Sequence, residues 1–175
     1  MNNTGVLKTL MGYEPQPEYV DEVGGVKEEA FRAAVQGHAR LLPGVRNWLE
    51  SLHGMGVHQA VASSAPIENI EALVDETGIR SYFGVLVSAL GKPSKPDPWV
   101  FLTAAAALGV LPGNSTVVED AIAGVEAARR AGMRCIAVTN TNPVEKLQVA
   151  DIVVHSLEEL DPVAWIEKVS AKRGD

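Results

Sequence analysis

Cysteine occurs once in the 175 residues, at Cys135, so no intrachain disulfide can form. That residue lies in the apolar run RCIAV and reads as a core side chain. A reducing cytoplasm fits such cysteine usage. Positive charge is also scarce. Fifteen Lys and Arg face twenty-two Asp and Glu, a formal net charge of -7. This balance excludes a general binder of nucleic acid or of anionic membranes, though not a local phosphate pocket. No apolar run is long enough for a membrane span, and the opening MNNTGVLKTLMG lacks the organisation of a signal peptide. The four histidines, His38, His53, His58 and His155, form no spaced pair with cysteine or carboxylate, which speaks against a zinc site. Repeats and low-complexity segments are missing too. What is present is 46% hydrophobic and 21% charged residues, enough apolar material for one compact domain, or for one domain plus a small appendage.

Two regions differ in pattern. Residues 1–40 read as helical: Leu7, Leu10 and Met11 recur at helical spacing, as do Ala30, Phe31, Ala34 and Val35. Pro15 and Pro17 separate two helices, and Pro43-Gly44 precedes a third around Val45 to His53. From Val57 onward, short apolar runs alternate with helical segments. The runs are HQAVAS (58–63), VLVSA (85–89), TVVE (116–119), RCIAV (134–138) and DIVV (151–154). Helical patterns fill 66–77, 98–108, 121–131 and 143–149, and a last helix closes the chain near 161–172. Near-continuous apolar strands alternating with helices imply an α/β fold with a parallel sheet covered on both faces. In such sheets ligands sit at the C-terminal ends of the strands. The tail AKRGD is expected to fray.

Three strand ends carry polar residues of one chemical kind. The first ends in VASSAP, where Ser63, Ser64 and free backbone N–H groups precede a helix, a place suited to phosphate. A plain helix N-cap by Ser64 is the alternative. The next is followed by KPSKPDPWVF, whose prolines hold the loop extended so that a lysine can project into a cleft and neutralise phosphate charge. A solvated lysine on a turn is the alternative. The third ends in Glu119-Asp120, two adjacent carboxylates after a buried strand, whose burial is costly unless a cation or another partner joins them. Oxygen ligands there suit Mg²⁺, against the alternative of an N-cap by Asp120. Gly124 allows the following helix a close approach to its neighbours. Hydroxyl, lysine and acidic pair on successive strand ends together point to metal-assisted phosphoryl transfer.

VASSAP, KPDPWVF and VVEDAIAGVEAARRAGM resemble the second, third and fourth motifs of the haloacid dehalogenase-like (HAD) superfamily, in its β-phosphoglucomutase-like and phosphoglycolate-phosphatase-like subgroup. The resemblance implies a Rossmann-like core over 43–175 and a partial helical cap over 1–42. It implies a Mg²⁺-dependent phosphomonoester phosphatase or phosphomutase acting on a small phosphorylated metabolite such as a sugar phosphate. By that match Ser63 binds the transferring phosphoryl group, with Ser64 beside it, and Lys95 bridges nucleophile and phosphate. Lys95 rather than Lys92 fits the pattern because Phe101 lies six positions after it. Glu119 and Asp120 would help hold Mg²⁺, Asp120 more directly. The acidic pair followed by Gly124 matches phosphotransferases rather than true dehalogenases. KEEAFR (27–32) resembles a cap segment whose lysine, Lys27, faces substrate; the alternative is an exposed lysine beside a Glu28–Arg32 pair. VTNTNP (138–143) resembles a loop near the active site, with Asn140 and Asn142 read as turn residues.

Members of that superfamily begin with an apolar strand ending in Asp-x-Asp-x-Thr, which supplies the nucleophile and the general acid and base. This sequence contains no such segment, and Asp21 lies in a polar helical stretch. The start resembles an interior stretch of the cap, as in a truncated reading frame. The central strand is therefore expected to be missing, leaving two inner strand edges unpaired. Such edges could pair with each other, self-associate, or accept a strand from a companion chain. The chain alone is expected to be inactive. A non-catalytic phosphate-binding remnant and one half of a split enzyme are the competing readings.

Overall fold

The computed structural model describes residues 3–171, and side chains from residue 5 onward other than that of residue 21. Two compact units divide between Ala39 and Arg40. The first holds α1 (Asn3–Met11) and α2 (Pro17–Val35). Pro17 stands at the start of α2, where its missing N–H and fixed φ do no harm. The apolar spacing of these helices does not translate into burial within this unit. Val35 is buried, but Phe31 is exposed and Leu10 is 77% exposed. Two short helices present too little surface to cover both apolar stripes.

The second unit is built on parallel strands, as the alternation of apolar runs and helices predicts. Its elements follow in the order α3 (Val45–Gly54), β1 (Ala60–Ser63), α4 (Ile67–Glu76), β2 (Val85–Ser88), α5 (Trp99–Ala107), β3 (Thr116–Glu119), α6 (Ile122–Arg130), β4 (Arg134–Val138), α7 (Val144–Leu147), β5 (Ile152–Val154) and α8 (Pro162–Ala171). The strands form two sheets. One pairs β1 with β2, in register from Ala60 opposite Val85 to Ser63 opposite Ser88. The other has the order β3-β4-β5. β1 and β3 do not pair with each other, so each keeps one edge unpaired among the described residues.

β4 shows why the strands read as continuous apolar runs. Successive side chains point to opposite faces of a strand. Cys135 and Ala137 join a core with Val87, Val100, Val117 and Val125. Ile136 and Val138 join another, with Trp48, Val154 and Trp165. Both faces are therefore dry, which leaves no position for a polar side chain until the strand ends. The first core contains residues of both sheets, so the two half-sheets share one interior despite lacking a common ladder.

The second core is closed by polar contacts as well as by packing. The Trp48 indole N–H donates to the carbonyl oxygens of Leu157 (3.0 Å) and Leu160 (3.3 Å). Just before α3, Gly44 has φ 81°, in the left-handed region. A Cβ there would lie 2.7 Å from the Glu158 backbone nitrogen and 2.8 Å from the Leu157 carbonyl carbon. Glycine is required at Gly44 both by backbone conformation and by space.

Candidate active site

The site starts from the ends of the strands. Lys95, in the loop after β2, forms an ion pair with Glu119 at the end of β3. This contact puts the C-terminal ends of both sheets on the same side of the molecule. The Lys95 ammonium also lies 4.6 Å from the centroid of the Phe101 ring, which backs it from α5. The pair is largely buried, with side-chain exposures of 18% for Lys95 and 9% for Glu119. A buried ion pair of this kind survives only if its remaining hydrogen-bonding capacity is met. Here Glu119 Oε2 accepts backbone N–H groups of Asp120 (2.7 Å) and Ala121 (3.0 Å), while Oε1 faces Lys95. Burial raises the Glu119 pKa, but the Lys95 charge, its hydrogen bond and the two N–H donors outweigh burial. The net shift is downward, and Glu119 is an anion at neutral pH.

Room for this carboxylate is made by Gly124. A Cβ at Gly124 would sit 1.9 Å from Glu119 Oε1 and 2.1 Å from its Cδ. The glycine therefore serves the folded-back Glu119 side chain, a more specific reason than the helix approach expected from sequence.

Asp120 behaves differently from its neighbour. Burial pushes its pKa up, a hydrogen bond from Thr141 opposes this, and the adjacent Glu119 carboxylate adds to the rise, so the net direction is upward. Two adjacent carboxylates pulled apart in this way form an environment that a cation would relieve. The N-cap alternative for Asp120 is not seen: α6 starts after Ala121 with no side-chain cap. Ser64 likewise does not cap α4, whose preceding residue is Pro66. Instead Ser63 Oγ accepts the Ala65 N–H at 3.1 Å. Ser88, opposite Ser63 in register, donates to the Ala65 carbonyl at 2.6 Å. Ser88 was not singled out from sequence, and it ties the Ser63–Pro66 turn to the end of β2.

The loop after β4 contributes more than turn chemistry. The Thr141 hydroxyl lies 3.1 Å from Asp120 Oδ2 and 3.0 Å from the Asp120 carbonyl oxygen. Asn142 Nδ2 donates to the same carbonyl at 3.0 Å. The reading of Asn142 as a turn residue is thus corrected, because its side chain reaches across to the end of β3. Direct contacts therefore join Lys95, Glu119, Asp120, Thr141 and Asn142. Ser63 and Ser64 stand at the same end of the strands without a hydrogen bond to that group. Lys27 belongs to the other unit, where it pairs with Glu28 at 2.6 Å.

The haloacid dehalogenase-like hydrolase model matches residues 8–132, more than half of the chain. The chain belongs to the haloacid dehalogenase-like hydrolases. Among curated relatives, the validoxylamine A 7'-phosphate phosphatase of Streptomyces hygroscopicus subsp. limoneus is 32% identical over 172 residues, covering 91% of this chain and 79% of that protein. The chloroplastic 5-amino-6-(5-phospho-D-ribitylamino)uracil phosphatase of Arabidopsis thaliana is 32% identical over 161 residues, with 91% of this chain covered. The chain spans 43% of that protein's length. In fold, the β-phosphoglucomutase of Clostridium difficile superposes with a TM-score of 0.86 at 24% identity, covering all of this chain and 80% of the other.

Within this haloacid dehalogenase-like hydrolase, the donor set can be tested against the Mg²⁺ that the resemblance implies. Among the described residues no three His, Cys, Asp or Glu side chains group to hold a metal ion. Mg²⁺ does not need such a cage, since it commonly takes one or two carboxylates and keeps several waters. Asp120 suits that role, with its carboxylate oriented by the Thr141 hydroxyl at Oδ2. Glu119 fits less directly, since both of its oxygens are engaged. No helix among the described residues is long and apolar enough to cross a membrane.

Proposed function

We propose that this chain forms the phosphate- and cation-binding part of a Mg²⁺-dependent phosphatase or phosphomutase that acts on a small phosphorylated metabolite. The observation that carries the reading is the Lys95–Glu119 pair standing beside Asp120 at the C-terminal ends of two parallel sheets. The phosphatase names of the two relatives support the same class.

In this reading Lys95 neutralises the phosphoryl oxygens, and Glu119 keeps its ammonium charged and aimed. Ser63 and Ser64 add hydroxyl donors at the start of α4, whose N-terminus favours an anion. Asp120 would hold Mg²⁺ with Glu119 close behind, and the ion would supply charge stabilisation to the phosphoryl group. In this reading Lys95, Glu119 and Asp120 are committed to electrostatics, and none of the three serves as the phosphoryl acceptor. The acceptor carboxylate is expected on a strand lying between β1 and β3, carried by whichever polypeptide supplies it. The split sheet equally favours a second reading, in which the chain binds phosphate without turning it over.

The test is phosphate release from sugar phosphates and phosphoglycolate, with Mg²⁺, by the chain alone and by the chain with a segment of the form apolar strand plus Asp-x-Asp-x-Thr. Weak activity alone, a large gain on addition, and loss of that gain in Lys95→Ala are expected. Vigorous activity of the chain alone that survives Asp120→Ala would refute the site. Calorimetric binding of phosphate without any gain on addition would favour the second reading.

A further inference from the structure

The Asp120 carboxylate is the group on which the cation reading depends, and its surroundings form an ordered set of donors. Thr141 has one hydroxyl proton but two acceptors in reach, the Asp120 carbonyl oxygen at 3.0 Å and Oδ2 at 3.1 Å. Asn142 resolves this competition. Its Nδ2 donates to the carbonyl at 3.0 Å and lies 3.1 Å from Thr141 Oγ1. A carbonyl can only accept, so this contact fixes which end of the amide is the NH₂. One N–H then satisfies the Asp120 carbonyl, and the other points at the Thr141 oxygen. With both demands met, the single Thr141 proton is directed to Oδ2. One carboxylate oxygen, Oδ2, is thereby held in a fixed direction.

We infer that Thr141 and Asn142 are positioning residues that orient the Asp120 carboxylate for a divalent cation, Thr141 directly and Asn142 through Thr141. The inference rests on the cation reading above. Partners that orient a metal-ligating carboxylate commonly change metal affinity by about 10- to 100-fold when removed. A purely structural role, closing the loop after β4 onto β3, would instead show in stability. The two roles are separable because the Thr141 side chain is exposed, so losing its hydroxyl removes little buried contact.

The experiment measures Mn²⁺ binding by electron paramagnetic resonance, with Mg²⁺ competition, alongside the Tm in metal-free buffer. Asp120→Asn should abolish binding. Thr141→Val should weaken it about tenfold with little change in Tm, and Thr141→Ser should restore it. Asn142→Ala should weaken binding less, and should add nothing in the Thr141→Val background, since it acts through that hydroxyl. Wild-type binding lost in Asp120→Asn but unchanged in Thr141→Val refutes the brace and leaves the cation site standing. Equal weakening in Thr141→Val and Thr141→Ser with a matching fall in Tm reduces the pair to loop structure and also refutes it. No wild-type binding, or binding indifferent to Asp120→Asn, overturns the cation site, and the brace falls with it.

Discussion

Replacing Gly124 by alanine probes the site without touching a charged group. The added methyl would lie 1.9 Å from Glu119 Oε1, 2.1 Å from Cδ and 2.6 Å from Cγ. A carboxylate tip can swing away from such a collision, so the penalty lies in what the swing breaks. Glu119 would lose the Lys95 partner and the N–H donors of Asp120 and Ala121, leaving a buried ammonium without its anion. Hydrogen bonds to charged groups are worth about 1.5–3 kcal/mol each, and breaking a buried pair about 3–5 kcal/mol in all. The partial exposure of Lys95 moderates the loss, and alanine returns about 1 kcal/mol of helix propensity. A net loss of about 2–3 kcal/mol follows, or roughly 5–10 °C in Tm for a chain of this size. The assay is thermal unfolding by circular dichroism in a double-mutant cycle with Glu119→Ala. Once Glu119 is shortened the collision disappears, and Gly124→Ala should become neutral or stabilising. Equal destabilisation by Gly124→Ala in both backgrounds, or none in the wild type, would refute the reasoning.

Two further outcomes follow from the fold. Gly44→Ala should destabilise by about 2 kcal/mol or more, because a left-handed φ costs about 1–2 kcal/mol and the methyl meets backbone of Leu157 and Glu158 rather than a yielding side chain; an unchanged urea midpoint would contradict this. The Cys135 thiol is pushed up to about 12 from its ordinary 9.0, first by burial and then by the Glu119 and Asp151 charges. A raised thiol pKa keeps the folded form neutral, so its contribution to stability is fully present below pH 9.0 and declines as the pH rises toward 12. Alkylation by iodoacetamide at pH 8 should therefore be slow in the native protein and fast in urea. Rapid native labelling would contradict the burial.

β4 was legible because both of its faces are dry. The run RCIAV carries no polar interruption, since Cys135 and Ala137 enter one core while Ile136 and Val138 enter the other. The pairing of Lys95 with the acidic residues was legible only in part. Sequence put lysine and carboxylates at strand ends, but it did not show that Glu119 would spend both oxygens on Lys95 and backbone N–H groups. Thr141 is not singled out by the sequence and Asn142 reads as a turn residue, because an Asn-rich segment with proline has the composition of any turn. The signal available was position, for the loop follows β4, whose C-terminal end lies beside that of β3. Burial in the helical unit is a separate matter from its helicity. Periodicity shows which face of a helix is apolar, but not whether anything covers it, and Leu10 stays exposed.

The divided sheet gives the Lys95–Glu119 contact a second consequence. Lys95 is carried by the half-sheet of β1 and β2, and Glu119 by the half-sheet of β3, β4 and β5. Where an unbroken ladder would rivet the two halves along their length, here a shared apolar interior holds them and one ion pair buttons the mouth. Any anion that draws the ammonium toward itself therefore competes with one of the contacts that join the halves.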